Sequence, residues 1–192
     1  VQYSDRLEVM HDGKSFTTEN LQGLCDIGQS DKVNDLNQIG EFGVGFKSVF
    51  GICETVRLYS SPRKQELAEN CHPFAVEIKD FTKPVDIPAV DVPAGYTTLF
   101  VFPYSVGFQF SGFKNLAALN EAITKRLKNL GVTTLLFMRH LELIEYEIKI
   151  PGKEASGEYL LDAEPINDHC TRVSAIESED DKTDESLSFI KF

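Results

Sequence analysis

Three glycines, Gly40, Gly43 and Gly45, stand directly before a stretch in which apolar residues recur at helical spacing. The apolar residues of that stretch are Phe46, Val49, Phe50 and Cys53. Their spacing is that of a helix with one buried face. Glycines at the start of a helix leave several backbone N–H groups free to converge on an anion, because no side chain blocks the approach. The sequence therefore predicts a phosphate-binding loop that opens a helix.

Two other phosphate-binding loops fit these glycines poorly. The dinucleotide fingerprint has its glycines in the opposite order and follows an apolar strand, whereas the segment before Gly40 is polar. A Walker loop needs a lysine directly after its last glycine, but Phe46 separates Gly45 from Lys47. One extra helical residue turns the lysine by ~100° away from the phosphates. Lys47 is therefore interpreted as a solvated surface lysine.

The other periodicities predict strands in neighbouring groups with helices between them. Strands are expected at 6–11, 55–60, 74–79, 97–102 and 143–150. Helices are expected after a cap at Thr17 or Thr18 and over 116–130. Because this order is not a regular β-α-β alternation, it favours an α+β fold in which helices cover one mixed sheet.

The chain is expected to form one main domain with a smaller extension. We expect residues 1–150 to be that domain and residues 151–192 a C-terminal extension, either free or packed on the same domain. The segment 177–185 carries too much charge and too little apolar surface to pack, so it is predicted to be a solvated acidic loop. The polar segment 28–39 is predicted to be a mobile loop.

Charge and cysteine usage limit the partners and the compartment. The formal net charge is -11, which disfavours direct contact with a nucleic-acid backbone. The cysteines show no paired spacing, as is usual in a reducing compartment. No apolar run reaches about 18 residues, and the N-terminal residues lack the features of a secretory signal. We expect a cytoplasmic protein with no membrane contact.

The string IGEFGVGFKSVF at 39–50 resembles the glycine motif of the GHKL ATPase superfamily, and is most similar to its version in the ninety-kilodalton heat-shock chaperones. Other branches are gyrase B, sensor histidine kinases and MutL proteins. Upstream, the turn followed by FTTENLQGLCDIGQSDK at 16–32 resembles the adenine-binding turn, the short helix and the start of the ATP lid. Residues 95–98 resemble the element that holds the adenine end, and 134–144 resembles the segment that follows this domain in sacsin-type proteins.

The resemblance implies a two-layer α/β sandwich with a mixed, mostly antiparallel sheet and helices on one face, and it assigns the binding residues for ATP. Thr98 is expected at the adenine end. The superfamily binds the adenine amino group with an Asp in the pattern D-x-G-x-G; His11 stands at that position, with Asp12 next and Ser15 at the second glycine. Asp12 is the preferred adenine contact, His11 stays open, and Gly13 lies beside them. The phosphate contacts are expected at Gly40, Phe42, Gly43, Val44, Gly45 and Phe46.

Catalytic residues are not assigned. In the superfamily an N-terminal helix supplies a Glu that activates water and an Asn that binds magnesium, and the stretch before Leu7 is too short to contain it. We expect ATP with Mg²⁺ bound through the nucleotide phosphates. Neither Cys71-His72 nor His169-Cys170 has ligand-like spacing, so no metal site built from protein ligands is expected.

The function predicted first is an ATP-binding, ATP-hydrolysing module of the chaperone-like GHKL branch. Nucleotide would close a lid at 28–39 and drive a conformational change in a larger protein. Its partners would be other domains of that protein or client proteins. The alternative is a hydrolysis-deficient domain that senses nucleotide or acts as a scaffold. A DNA-processing ATPase is disfavoured by the negative charge, and a histidine kinase by the lack of a phospho-acceptor helix pair.

Overall fold

The computed structural model of the protein describes residues 1–25, 46–69, 71–79, 84–104, 112–131, 133–138, 140–180 and 182–191. The strands are β1 (Gln2–Tyr3), β2 (Arg6–His11), β3 (Thr55–Ser60), β4 (Phe74–Lys79), β5 (Val85–Asp86), β6 (Thr98–Pro103), β7 (Leu143–Lys149), β8 (Ala155–Asn167), β9 (Cys170–Glu179) and β10 (Lys182–Lys191). The α-helices are α1 (Thr18–Cys25) and α2 (Leu116–Leu127). Short 3-10 helices lie at Phe46–Gly51, Glu66–Glu69 and Thr134–Phe137. The chain forms two compact units, Asp5–Leu119 and Val1–Ser4 with Asn120–Phe192.

The unit Asp5–Leu119 is built on antiparallel strands in the order β2-β6-β3-β4-β5. Strand β6 pairs with β2 on one side and β3 on the other, so that Phe100 lies opposite both Val9 and Leu58. Because side chains alternate between the two faces of a strand, this register fixes which residues of all three strands share a face. The predicted strands at 6–11, 55–60 and 74–79 are confirmed, as is the strand predicted near 97–102.

One face of these strands is covered by α1 and by the 3-10 helix Phe46–Gly51. Leu21 of α1 is buried against the strands. The core on this face contains Leu21, Leu58, Val76 and Ile78, with Phe16, Phe46, Phe50 and Phe100 packed around it. The opposite face has a separate core of Tyr59, Ala75, Leu99 and Val101, covered in part by Ile87 and Val92. The helices therefore form a second layer over one face of the strands.

Helix α1 begins where the sequence predicts a cap. Thr17 Oγ1 accepts the backbone N–H of Asn20 at 3.3 Å, and Asn20 Oδ1 accepts the backbone N–H of Thr17 at 3.1 Å. Two N–H groups that the helix itself cannot satisfy are thus bonded reciprocally. Of the two candidate caps, Thr17 is the one used.

The helix predicted from Phe46 is a 3-10 helix that ends at Gly51, and the prediction of a longer helix through Cys53 is wrong. Glycine costs about 1 kcal/mol in a helix interior, and 3-10 helices are usually short. The predicted burial is nevertheless present, because Cys53 is fully buried in a cluster with Val56 and Phe102 that Phe46, Val49 and Phe50 flank. The spacing identified the buried side chains correctly and the type of helix incorrectly.

The unit Val1–Ser4 with Asn120–Phe192 has the strand order β10-β9-β8-β7-β1. Strands β1 and β7 are parallel, and the other neighbours are antiparallel. Leu135, Tyr146, Ile148 and Tyr159 form the core. With the antiparallel strands of Asp5–Leu119, this parallel pairing confirms an α+β class with mixed, mostly antiparallel strands. Within the described helices, none is long and apolar enough to cross a membrane.

A buried polar side chain ties β1 to α2. Gln2 has no exposed surface; its Nε2 donates to Asn120 O at 2.9 Å and to Asn120 Oδ1 at 3.1 Å, and its Oε1 accepts from Thr124 Oγ1 at 2.9 Å. Burial of an amide is costly unless its hydrogen bonds are made, and here both ends of the amide are bonded. The network is therefore a structural anchor.

The loop predicted at 177–185 is wrong, because strands β9 and β10 occupy most of it. Strand β9 pairs with β8 and β10 along both edges, so its backbone groups are bonded even where its side chains are charged. At the turn, Asp180 has a positive φ of 48° and its Oδ1 accepts the Ser156 N–H at 3.1 Å, while Glu179 forms an ion pair with Lys128. The proposed domain division at residue 150 stays a prediction.

Gly157 of β8 lies in contact with Tyr146 of β7. A Cβ atom at Gly157 would overlap the Tyr146 hydroxyl and would lie 2.6 Å from Ser178 O, a backbone atom that cannot move independently. We expect Gly157→Ala to lower the free energy of unfolding by about 1–3 kcal/mol, measured by denaturant titration. The control Ser156→Ala, at an exposed neighbour, should stay within about 0.5 kcal/mol of wild type. Equal stabilities for the two variants would contradict this packing.

Candidate functional site

Three polar side chains form a row across one end of the strands that α1 covers. In the strand register, His11 of β2 lies opposite Thr98 of β6, and Thr98 lies opposite Ser60 of β3. The alternation of β6 places Thr98 on the same face as Phe100, which belongs to the helix-covered core. We call His11, Thr98 and Ser60 the polar row. Along the same face of β6 and β3, Phe100 and Leu58 follow as the next residues and are apolar.

The Thr98 side chain is fully buried, and its Oγ1 has no hydrogen-bond partner within the described ranges. Its neighbour Ser60 is bonded, since Ser60 Oγ donates to Phe16 O at 3.3 Å. An unsatisfied buried hydroxyl costs about 1–3 kcal/mol, and such groups are rare in native proteins. This position therefore calls for a functional explanation.

His11 is half-buried beside an aromatic ring. The His11 and Phe16 ring centroids are 6.0 Å apart, and the Phe16 ring makes an edge contact with Phe100 at 5.5 Å. Burial lowers the pKa of His11, an effect that the nearby Asp12 carboxylate partly opposes. The imidazole is thus neutral at pH 7 and has one donor and one acceptor nitrogen. Neither nitrogen makes a hydrogen bond to any residue that the structure describes.

The turn after β2 places Asp12 differently from His11. Asp12 lies beyond the end of the strand and is exposed, and its backbone O accepts a hydrogen bond from the Arg63 guanidinium. Thr97 holds the turn from β6, because its Oγ1 donates to Gly13 O at 2.8 Å and its N–H donates to His11 O at 3.0 Å. The structure therefore brings His11 to Thr98 and leaves the Asp12 carboxylate at the solvent-exposed edge.

Ser15, which stands where the resembling motif has a glycine, is fixed by Glu66. The buried Ser15 donates its hydroxyl to Glu66 Oε2 at 2.8 Å and its N–H to Glu66 Oε1 at 3.2 Å. Glu66 Oε2 also accepts the Arg63 N–H at 2.8 Å. The carboxylate therefore joins the turn after β2 to the segment that begins at Arg63.

Phe46 packs in the core. Its ring centroid lies 6.0 Å from that of Phe100 and 6.2 Å from that of Phe50.

The other expected phosphate-loop residues, Gly40, Phe42, Gly43, Val44 and Gly45, lie outside the described residues, as does the expected lid at 28–39. Of the residues that the structure brings together here, the sequence analysis named His11 and Thr98, whose role stays a prediction, and did not name Phe16, Ser60, Arg63 or Glu66. The place of Ser60 depends on strand register, and the place of Glu66 depends on a contact with a turn that is distant in sequence. The one sequence signal for the turn contact was Ser15, which stands at a glycine position of the motif.

Among the described residues no metal-binding cluster forms, and the fully buried Cys53 thiol is not a nucleophile. No group of at least three His, Cys, Asp or Glu side chains there could hold a metal ion. Burial raises the pKa of the Cys53 thiol to about 12, so it stays protonated, and its Sγ donates to Val49 O at 3.3 Å. The described site is thus suited to binding through hydrogen bonds and ring contacts.

Similarity to known proteins covers part of the chain. Residues 7–68 match the model of the Sacsin domain family. Protein NO VEIN of Arabidopsis thaliana is 40% identical over 53 residues, which are 28% of this chain and 2% of that protein. The residues matched by the Sacsin domain model contain most of β2 and all of α1 and β3, and therefore His11 and Ser60, whereas Thr98 lies beyond them.

Two solved structures of the topoisomerase II ATPase region were also matched. The ATPase and transducer domains of DNA topoisomerase II from Balamuthia mandrillaris give a TM-score of 0.43 at 12% identity, covering 90% of this chain and 48% of that chain. The ATPase region of topoisomerase II from Saccharomyces cerevisiae gives 0.43 at 13% identity, covering 90% and 50%. This chain spans about half the length of each structure.

The hydrogen bonds to Glu66 give a stability prediction with a defined pH dependence. The Arg63 N–H and then the Ser15 hydroxyl lower the pKa of Glu66 below 4.5. A lowered folded-state pKa adds stability above the unfolded-state pKa, and this stability is lost as pH falls through the folded-state pKa. Glu66→Ala should therefore cost about 1–2 kcal/mol at pH 7, a range that allows for solvent screening.

The difference between wild type and Glu66→Ala should shrink as the pH falls below 4.5. Denaturant titrations at several pH values measure it. The exposed neighbour Gln65 provides the control variant Gln65→Ala, which should have little effect at any pH. A loss of stability in Glu66→Ala that is the same at pH 3 and pH 7 would argue against these bonds.

Proposed function

We propose that this chain is the nucleotide-binding part of a GHKL-type ATPase module within a larger protein. The observation that carries the proposal is the fully buried Thr98 hydroxyl, which lacks a partner in the described residues and lies opposite His11. A nucleotide base inserted at this end of the strands would meet the Thr98 hydroxyl, the His11 imidazole and the Phe16 ring. Those groups supply the hydrogen bonds and the ring contact that a planar heteroaromatic ligand requires.

The sequence supports the phosphate-binding half of the proposed site. The glycine motif at 39–50 offers backbone N–H groups for the phosphates, and the match to the Sacsin domain model extends over this motif. In the proposal Gly40, Gly43 and Gly45 let the backbone approach the phosphates closely. Recognition through backbone N–H groups also suits a chain of net charge -11, because it needs no cluster of cationic side chains.

Magnesium fits this proposal as part of the nucleotide. In the described ranges no cluster of acidic or imidazole side chains could hold the ion alone, and Mg²⁺ commonly binds through substrate phosphates. When bound it would neutralise phosphate charge. Nucleotide binding would then drive a conformational change that other domains of the larger protein, or client proteins, respond to.

A second candidate function is nucleotide sensing without hydrolysis. It is favoured by His11, which stands where the resembling motif has its adenine-binding Asp. Phosphate release measured on the longest protein that contains this chain separates the two candidates. Release that increases with ATP concentration supports an ATPase, and binding without release supports a sensor.

Thr98→Val tests the site with a substitution of nearly unchanged shape. Because valine removes the unpartnered hydroxyl, the free protein should be about 1 kcal/mol more stable. Loss of one hydrogen bond to the base should raise the Kd for MgATP about three- to tenfold in calorimetric titration. Stability and affinity are thus expected to change in opposite directions.

The matched control is Thr55→Val, at the other end of β3 from Ser60. Its affinity for MgATP should equal that of wild type. Unchanged affinity in a folded Thr98→Val variant would remove Thr98 from the site. Failure of the wild-type chain to bind MgATP at all would refute the proposed function.

A further inference from the structure

The polar row presents hydrogen-bonding groups that can act in either direction. A neutral imidazole has one N–H donor and one acceptor nitrogen, and which nitrogen carries the proton is set by the partner of the other. Neither His11 nitrogen has such a partner among the described residues, so a ligand can choose the tautomer. The Thr98 hydroxyl also rotates and can donate or accept.

Acidic side chains are absent from this row. Asp12 is the nearest carboxylate in sequence, but it lies in the exposed turn after β2, where Arg63 bonds its backbone oxygen. Glu66 is occupied by three hydrogen bonds from Ser15 and Arg63. An ionised carboxylate only accepts hydrogen bonds, so it would select a base with an amino group and reject one with a carbonyl group at the same position. His11 imposes no such selection.

We propose that the site accepts purine nucleoside triphosphates with either a 6-amino or a 6-oxo group, and that His11 is the residue that permits both. The inference rests on the proposed nucleotide-binding function and concerns the specificity of the same site. A 6-amino group donates to the unprotonated ring nitrogen of His11. A 6-oxo group accepts from the protonated nitrogen, and the two modes differ in the tautomer of the imidazole, with the same ring nitrogen facing the base.

The surroundings of His11 agree with this use. The Phe16 ring at 6.0 Å and the adjoining strands exclude part of the solvent from the imidazole. Burial lowers the pKa of His11, which keeps the ring neutral and therefore able to accept as well as donate at pH 7. A protonated ring would have two donors and no acceptor.

Calorimetric titration with MgATP and MgITP at pH 7.5 tests the inference. Inosine triphosphate is the suitable probe because it replaces the 6-amino group by a 6-oxo group and adds no 2-amino group. For wild type the two Kd values are expected within about fivefold of each other. For His11→Asp the Kd for MgITP should exceed that for MgATP by at least about tenfold, since two acceptors would then face each other.

Two further variants separate the chemistry of His11 from its packing. His11→Asn keeps both a donor group and an acceptor group, so it should retain the near-equal affinities even where both are weakened. The control Thr55→Val, at the other end of β3 from Ser60, should behave as wild type with both nucleotides. His11→Asn also provides the test if His11→Asp fails to fold.

The possible outcomes distinguish the dual specificity from the proposed nucleotide-binding function on which it rests. Wild-type discrimination of MgATP over MgITP by tenfold or more would overturn the dual specificity and leave ATP binding intact. Binding of neither nucleotide would overturn both. Equal discrimination in His11→Asn and His11→Asp would show that His11 does not set the specificity.

Discussion

The pairing of β6 with both β2 and β3 is the constraint on which the rest of the unit Asp5–Leu119 depends. A single register places Phe100 opposite Val9 and Leu58, and this choice decides the face of every other residue in the three strands. A slip by one residue would move Thr98 to the opposite face and bring Leu99 to the side that α1 covers. The apolar core and the polar row are therefore specified together, because the burial of Phe100 fixes the orientation of Thr98 two residues away.

The end of the strands that carries the polar row is reinforced by hydrogen bonds from separate parts of the chain. Thr97 bonds the turn after β2, and Glu66 bonds Ser15 within the same turn. A binding site must be held within about half an ångström of its working geometry, which a free surface turn does not provide. The carboxylate of Glu66 is charged, so this support is strongest at neutral pH and weakens in acid.

Sequence patterns predicted what depends on local periodicity, and they failed where longer-range pairing decides. The amphipathic spacing of Leu116 to Leu130 predicted α2, and alternation predicted β7. The strands β9 and β10 were missed because their charged residues resemble a solvated loop, although backbone hydrogen bonds between strands do not require apolar side chains. At the candidate site, motif resemblance named His11 and Thr98, but it favoured Asp12. That preference stays untested by binding, while exposure and cross-strand register favour His11.

The unpartnered hydroxyl of Thr98 and the half-buried imidazole of His11 have the same physical meaning. Each is a polar group whose burial is unfavourable in the free protein and favourable once a ligand supplies the missing hydrogen bond. Native proteins bury unsatisfied polar groups mainly where function requires it. Here two such groups, Thr98 and His11, lie opposite each other on paired strands. A ligand that satisfies both groups stabilises the register that created them, so its binding free energy is coupled to the pairing of β2 with β6. Through this coupling, occupancy of the polar row by any such ligand and the pairing of β2 with β6 become thermodynamically linked.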